Sequence, residues 1–104
     1  MAVAYKMRFR GATLEQYDRV LELMGFEHGG TVAAEGAIFH WVTKTDDGIL
    51  VVDVWESDEA FKRFADEQIS PYTQQAGFPA EPEITRHEVY NTLVSSKIAA
   101  AAHR

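Results

Sequence analysis

The residues able to do chemistry in this chain cluster near its middle. Asp53 interrupts an apolar run, Val51-Val52-Asp53-Val54-Trp55, and His40 lies on the segment just before it. A carboxylate inside such a run costs on the order of several kcal/mol to bury unless something pairs with it. An imidazole is a natural partner: the carboxylate fixes its tautomer, and the far ring nitrogen is left to take or give a proton. Arg8 adds a guanidinium suited to steadying a developing anion. Trp55, Trp41, Tyr17 and Tyr72 offer aromatic walls and phenol groups to a ligand. The set is therefore His40 as base, Asp53 as its orienter and Arg8 as anion stabiliser, with Trp55, Tyr17, Trp41 and Tyr72 for substrate binding. Each has a plainer reading beside it. Asp53 and Arg8 would also serve as an ion pair tying two strands, the tryptophans as core, and the tyrosines as half-buried side chains with satisfied hydroxyls.

Other chemistries have less support. There is no cysteine, hence no thiol nucleophile, thiolate metal site or disulfide. His28, His40, His87 and His103 show no spacing that would gather metal ligands, so neither a metal nor a cofactor is expected. No Gly-x-Gly-x-x-Gly, P-loop or Gly-x-Ser-x-Gly pattern occurs. A net charge of −6, with no basic cluster denser than Lys6, Arg8 and Arg10, argues against nucleic acid and anionic membranes. No stretch approaches the ~18 apolar residues of a membrane span, and the expected location is cytoplasmic.

The elements that must position these residues can be read from periodicity. At 104 residues with 46% hydrophobic content, one domain over 1–94 is expected, followed by a C-terminal tail at 95–104. Val3, Tyr5, Met7 and Phe9 alternate with polar or small residues, the period of a strand with one apolar face. Thr13 and Gln16 form a capping box, and Leu14, Tyr17, Leu21 and Met24 recur at helical spacing until Gly25, giving a helix over about 13–25. Residues 26–35 read as a loop. Two β-rich runs, Ala37–Lys44 and Ile49–Glu56, flank the turn Thr45-Asp46-Asp47-Gly48. Ser57 caps a second helix with Phe61, Phe64, Ala65 and Gln68 on its inner stripe, and Pro71 ends or bends it. A last strand is expected over Ile84–Leu93.

The order β-α-β-β-α-β is the split βαβ pattern of α+β, ferredoxin-like domains, a four-stranded antiparallel sheet with both helices on one face. The other face then needs cover, which predicts a homodimer packed sheet to sheet. Hairpin register decides the chemistry, because a slip of one residue moves every side chain to the opposite face. If Lys44 opposes Ile49, His40 lies across from Asp53; with a bulge that pairs Thr45 with Ile49, the two part company. The first register is preferred because it gathers the polar groups on one face, away from the helices, where Lys6 and Arg8 also point.

The stretch Val51-Val52-Asp53-Val54-Trp55-Glu56-Ser57-Asp58-Glu59-Ala60-Phe61, strand into capped helix, resembles the antibiotic-biosynthesis-monooxygenase-like group of the dimeric α+β barrel superfamily. The resemblance implies a homodimer with a cavity between sheet and helices in each subunit, and oxidation of aromatic, polyketide-like small molecules without metal or flavin. Trp55 matches the strand-borne Trp of the oxygenase members. The helix-borne His of some members, haem degraders included, has no counterpart among Phe61, Phe64 and Ala65, which counts against haem degradation. The alternatives are a noncatalytic dimeric small-molecule-binding module and an isomerase or cyclase using the same His–Asp pair.

Overall fold

The computed structural model describes residues 1–26 and 34–95. His28, His103, most of the expected loop at 26–35 and the tail beyond 95 lie outside the described residues. Strand β1 (Val3–Arg10) leads into helix α1 (Leu14–Met24), then the hairpin β2 (Ala37–Thr45) and β3 (Gly48–Trp55). Helix α2 (Asp58–Phe64), a π-helical turn (Ala65–Ile69) and helix α3 (Ser70–Gln75) form the second crossover, and β4 (Glu83–Glu88) closes the sheet. All pairings are antiparallel and the strand order is β2-β3-β1-β4, the α+β, ferredoxin-like arrangement anticipated from the element order.

Local chemistry accounts for the boundaries. Thr13 and Gln16 cap α1 reciprocally, and Gly25 ends it in the left-handed region at φ 80°. Ser57 caps α2 by accepting from the Ala60 N–H, with Asp58 and Glu59 in the first turn where the helix dipole favours acids. The second helical segment does not end at Pro71 but continues through it as far as Gln75. Proline has no N–H to donate, and its ring collides with the carbonyl four residues back in an α-helix. The chain widens before it into the π turn, where the Ser70 N–H reaches Ala65 O, and restarts as α3 with Pro71 in its first turn. The last strand is shorter than the sequence suggests, stopping at Glu88.

In the hairpin, Thr45 pairs with Gly48 around the two-residue turn Asp46-Asp47. Gly48 is not at positive φ; it is required because a Cβ there would run into the Phe9 carbonyl of the neighbouring strand. Lys44 pairs with Ile49, Val42 with Val51 and His40 with Asp53, the register that joins the two candidate residues. A bulge between Ala37 and Phe39 leaves Ile38 exposed.

The face carrying the pair differs from the expectation. Directly paired residues share a face, and Asp53 pairs with Tyr5, whose ring stacks on Phe61 of α2 at 3.7 Å. His40 and Asp53 therefore point toward the helices, beside the buried Met7, Phe9, Ile49, Val51 and Trp55. Lys6, Arg8 and Trp41 point the other way, with Leu50, Val52 and Val54. Segregation of polarity misled here because a polar group can be buried if its hydrogen bonds are met inside, while the outward apolar face stays uncovered: Phe39 and Trp41 are 44% and 45% exposed.

Candidate active site

Between the helix-facing side of the hairpin, α1 and the π turn lies a cavity of about 340 Å³. Its walls are mainly apolar, drawn from β1 (Met7, Phe9), α1 (Val20, Leu21), β3 (Ile49, Val51) and the second crossover (Phe64, Ile69). The π turn contributes directly, since Phe64 precedes it and Ile69 ends it.

The polar end is a linear network. His40 Nδ1 lies 2.5 Å from Asp53 Oδ1, His40 Nε2 lies 2.5 Å from the Tyr17 hydroxyl, and Trp55 Nε1–H donates to Asp53 Oδ2 at 3.3 Å. Asp53 is 4% exposed and Trp55 1%, so the carboxylate is buried with both oxygens engaged. A carboxylate only accepts, so Nδ1 carries the histidine proton and the Nε2 lone pair accepts from the Tyr17 O–H, a tautomer assigned from the partners present. The two rings lie near-parallel with centroids 5.9 Å apart. Burial, then the negative charges of Asp53 and Asp18, push the Tyr17 phenol up to about 12, so it stays a donor at neutral pH.

Of the residues singled out in the sequence, His40, Asp53, Tyr17 and Trp55 come together at this site. Arg8 does not: it is on the opposite face, with its guanidinium 3.6 Å from Asp47, and neither stabilises an anion beside His40 nor pairs with Asp53. Trp41 borders the cavity but takes an outward position in the register, opposite Val52. Tyr72, on α3, is not among the residues lining the cavity. No lysine or arginine lines it among the described residues.

A second polar cluster escaped the sequence reading. Tyr5 donates to Asp58 at the start of α2, and Arg86 of β4 grips the same carboxylate at 2.8 and 2.9 Å. The Arg86 hydrogen bonds, then that of Tyr5, lower the Asp58 carboxyl to about 2. Tyr5 follows Asp53 in the β1–β3 pairing and Arg86 follows Tyr5 in the β1–β4 pairing, but sheet order is not visible in a linear sequence.

No protein-family model and no curated protein matches the chain. Solved structures do. SnoaB, a cofactor-independent oxygenase from Streptomyces nogalater, superposes with a TM-score of 0.55 at 17% identity, covering 90% of this chain and 96% of that one. A monooxygenase from Streptomyces coelicolor, ActVA-Orf6, solved in complex with the ligand nanaomycin D, gives 0.55 at 17%, covering 91% and 92%. Rv0793 from Mycobacterium tuberculosis gives 0.62 at 17%, covering 90% and 100%. At such identities the likeness is one of fold: the chain shares the α+β, ferredoxin-like fold of these oxygenases.

Proposed function

We propose that the chain is a small cofactor-independent enzyme, a monooxygenase in reaction class, acting on an aromatic or polyketide-like molecule held in the helix-side cavity. The observation that carries this reading is the 2.5 Å His40–Asp53 contact at the polar end of an otherwise apolar cavity of about 340 Å³, a size within the ~300–1,000 Å³ of ordinary ligand pockets. His40 is the proton acceptor and Asp53 holds its tautomer and pairs with the imidazolium that results. The apolar walls exclude water from the carbanion or enolate formed, which then meets dioxygen. One oxygen atom ends in the product carbonyl and the other in water, so no external reductant is needed. Trp55 forms part of the wall and anchors Asp53.

The active form is a homodimer. The support is the outward face, where Phe39 and Trp41 are exposed beside half-buried Leu50, Val52 and Val54. Burying such a patch against its own copy is the ordinary route to an isologous pair.

Oxygen uptake with anthrone as the probe tests the chemistry. His40→Ala is expected to lower the rate by about 10²- to 10⁴-fold, and unchanged uptake removes His40 from the mechanism. Proton abstraction from anthrone without oxygen consumption would instead favour the isomerase or cyclase reading, and neither activity would favour a binding module.

A further inference from the structure

The reading above makes His40 the acceptor of the ligand's proton, yet the nitrogen that would receive it is already engaged. The Tyr17 hydroxyl lies 2.5 Å from His40 Nε2, and Asp53 holds Nδ1 from behind. Asp53 stands behind the base, with Trp55 N–H on its Oδ2, so a proton reaching Asp53 would bypass His40 Nε2 rather than pass to it. Each nitrogen and each carboxylate oxygen in the row thus has its partner. Tyr17 Oη stands in front of the base: it donates its one proton to His40 Nε2 and keeps lone pairs that can accept another hydrogen bond. Tyr17 also lines the cavity.

Resting on that reading, we propose that Tyr17 is a catalytic residue through which the ligand's proton leaves, and that the ligand is an uncharged molecule bearing a phenol or an enolisable carbonyl. The ligand hands its proton to Tyr17 Oη as the Tyr17 proton passes to His40 Nε2. One bond to hydrogen breaks and one forms at the phenol oxygen. The ligand gains one negative charge, His40 gains one positive charge beside the Asp53 carboxylate, and nothing is oxidised or reduced in the step. The class of ligand follows from the walls. With no lysine or arginine lining the cavity among the described residues, a carboxylate or phosphate would enter with no cation to meet it and with the Asp53 charge nearby.

The phenol stays protonated between turnovers. Burial and the charges of Asp53 on β3 and Asp18 on α1 itself push it up to about 12. Among the described residues His40 of β2 is the other titratable group in contact with it.

The test is anaerobic hydrogen–deuterium exchange at the anthrone methylene, followed by NMR in wild type, Tyr17→Phe and His40→Ala, which isolates proton transfer from oxygen chemistry. Tyr17→Phe keeps the ring, and is expected to slow exchange by about 10²-fold or more while the anthrone Kd moves by less than about three-fold. Exchange at the wild-type rate in Tyr17→Phe, with loss in His40→Ala, overturns the relay and leaves the proposed function standing. No exchange in wild type overturns both. Should Tyr17→Phe also lose binding, 3-fluorotyrosine at position 17 decides, having nearly the same shape but a more acidic phenol. A several-fold change in exchange rate supports the relay, and an unchanged rate reduces Tyr17 to a wall.

Discussion

Replacing Asp53 with alanine removes the acceptor for two ring N–H groups at once, His40 Nδ1–H and Trp55 Nε1–H. Trp55 is 1% exposed, so its N–H, left without the Asp53 acceptor, carries a desolvation cost of about 1–3 kcal/mol. The His40 side chain is 27% exposed and can recover much of its loss by hydration. Against this, a buried carboxylate no longer has to be desolvated. The net loss expected for Asp53→Ala is about 1–3 kcal/mol, read as a lower urea midpoint followed by tryptophan fluorescence. Asp53→Asn separates stability from chemistry. Its carboxamide oxygen accepts from Trp55 while its NH₂ donates to His40 Nδ1, so the network remains satisfied at a cost below about 1.5 kcal/mol. The histidine proton is then forced onto Nε2, which can only donate to Tyr17 and cannot accept a proton. Anthrone-dependent oxygen uptake should therefore fall by about 10²- to 10⁴-fold in a protein that is nearly as stable as wild type. Asp53→Asn with activity within about three-fold of wild type would refute the tautomer argument.

The remaining consequences concern the scaffold. Asp58 has its carboxyl lowered from 3.8 to about 2 by Arg86 and then Tyr5. A carboxylate depressed in the folded state contributes stability that is present above its unfolded value and lost as pH falls from about 4 to about 2; Arg86→Ala should flatten the fall in melting temperature across that window, and an unchanged acid profile would contradict the assignment. Gly48→Ala places a Cβ against the Phe9 carbonyl and 3.0 Å from Gly11 N, backbone atoms that cannot move aside cheaply, so a loss of about 1–3 kcal/mol is expected in urea unfolding; wild-type stability would mean that the hairpin shifts to make room. For the dimer, light scattering should find wild type paired at micromolar concentration and Trp41→Lys shifted toward monomer, whereas a wild-type monomer would contradict sheet-to-sheet pairing.

Much of the fold was legible because its signals are local. The alternation from Val3 to Phe9, the Thr13–Gln16 box, the Ser57 cap and the turn signal at Thr45–Gly48 each act within a few residues. The pairing of His40 with Asp53 followed from hairpin register, a short-range property. Which face that pair occupies was not legible, because β1 inserts between β3 and β4 and sets it through the Tyr5–Asp53 pairing. Only that pairing shows that Arg8, opposite Leu50, lies on the other face from the pair. The contact between Tyr17 and His40 needs the packing of α1 onto β2, and the π turn reflects how the chain accommodates Pro71, so neither has a sequence pattern of its own.

The central claim is that a buried carboxylate fixes His40 with its proton on Nδ1, leaving Nε2 as the proton-accepting atom behind Tyr17. Long-range ¹H–¹⁵N correlation spectra of histidine-labelled protein, with His40 assigned by comparison with His40→Ala, report which ring nitrogen is protonated. The account predicts the pattern of the Nδ1–H tautomer in wild type and its inversion in Asp53→Asn; an Nε2–H tautomer in wild type would contradict it.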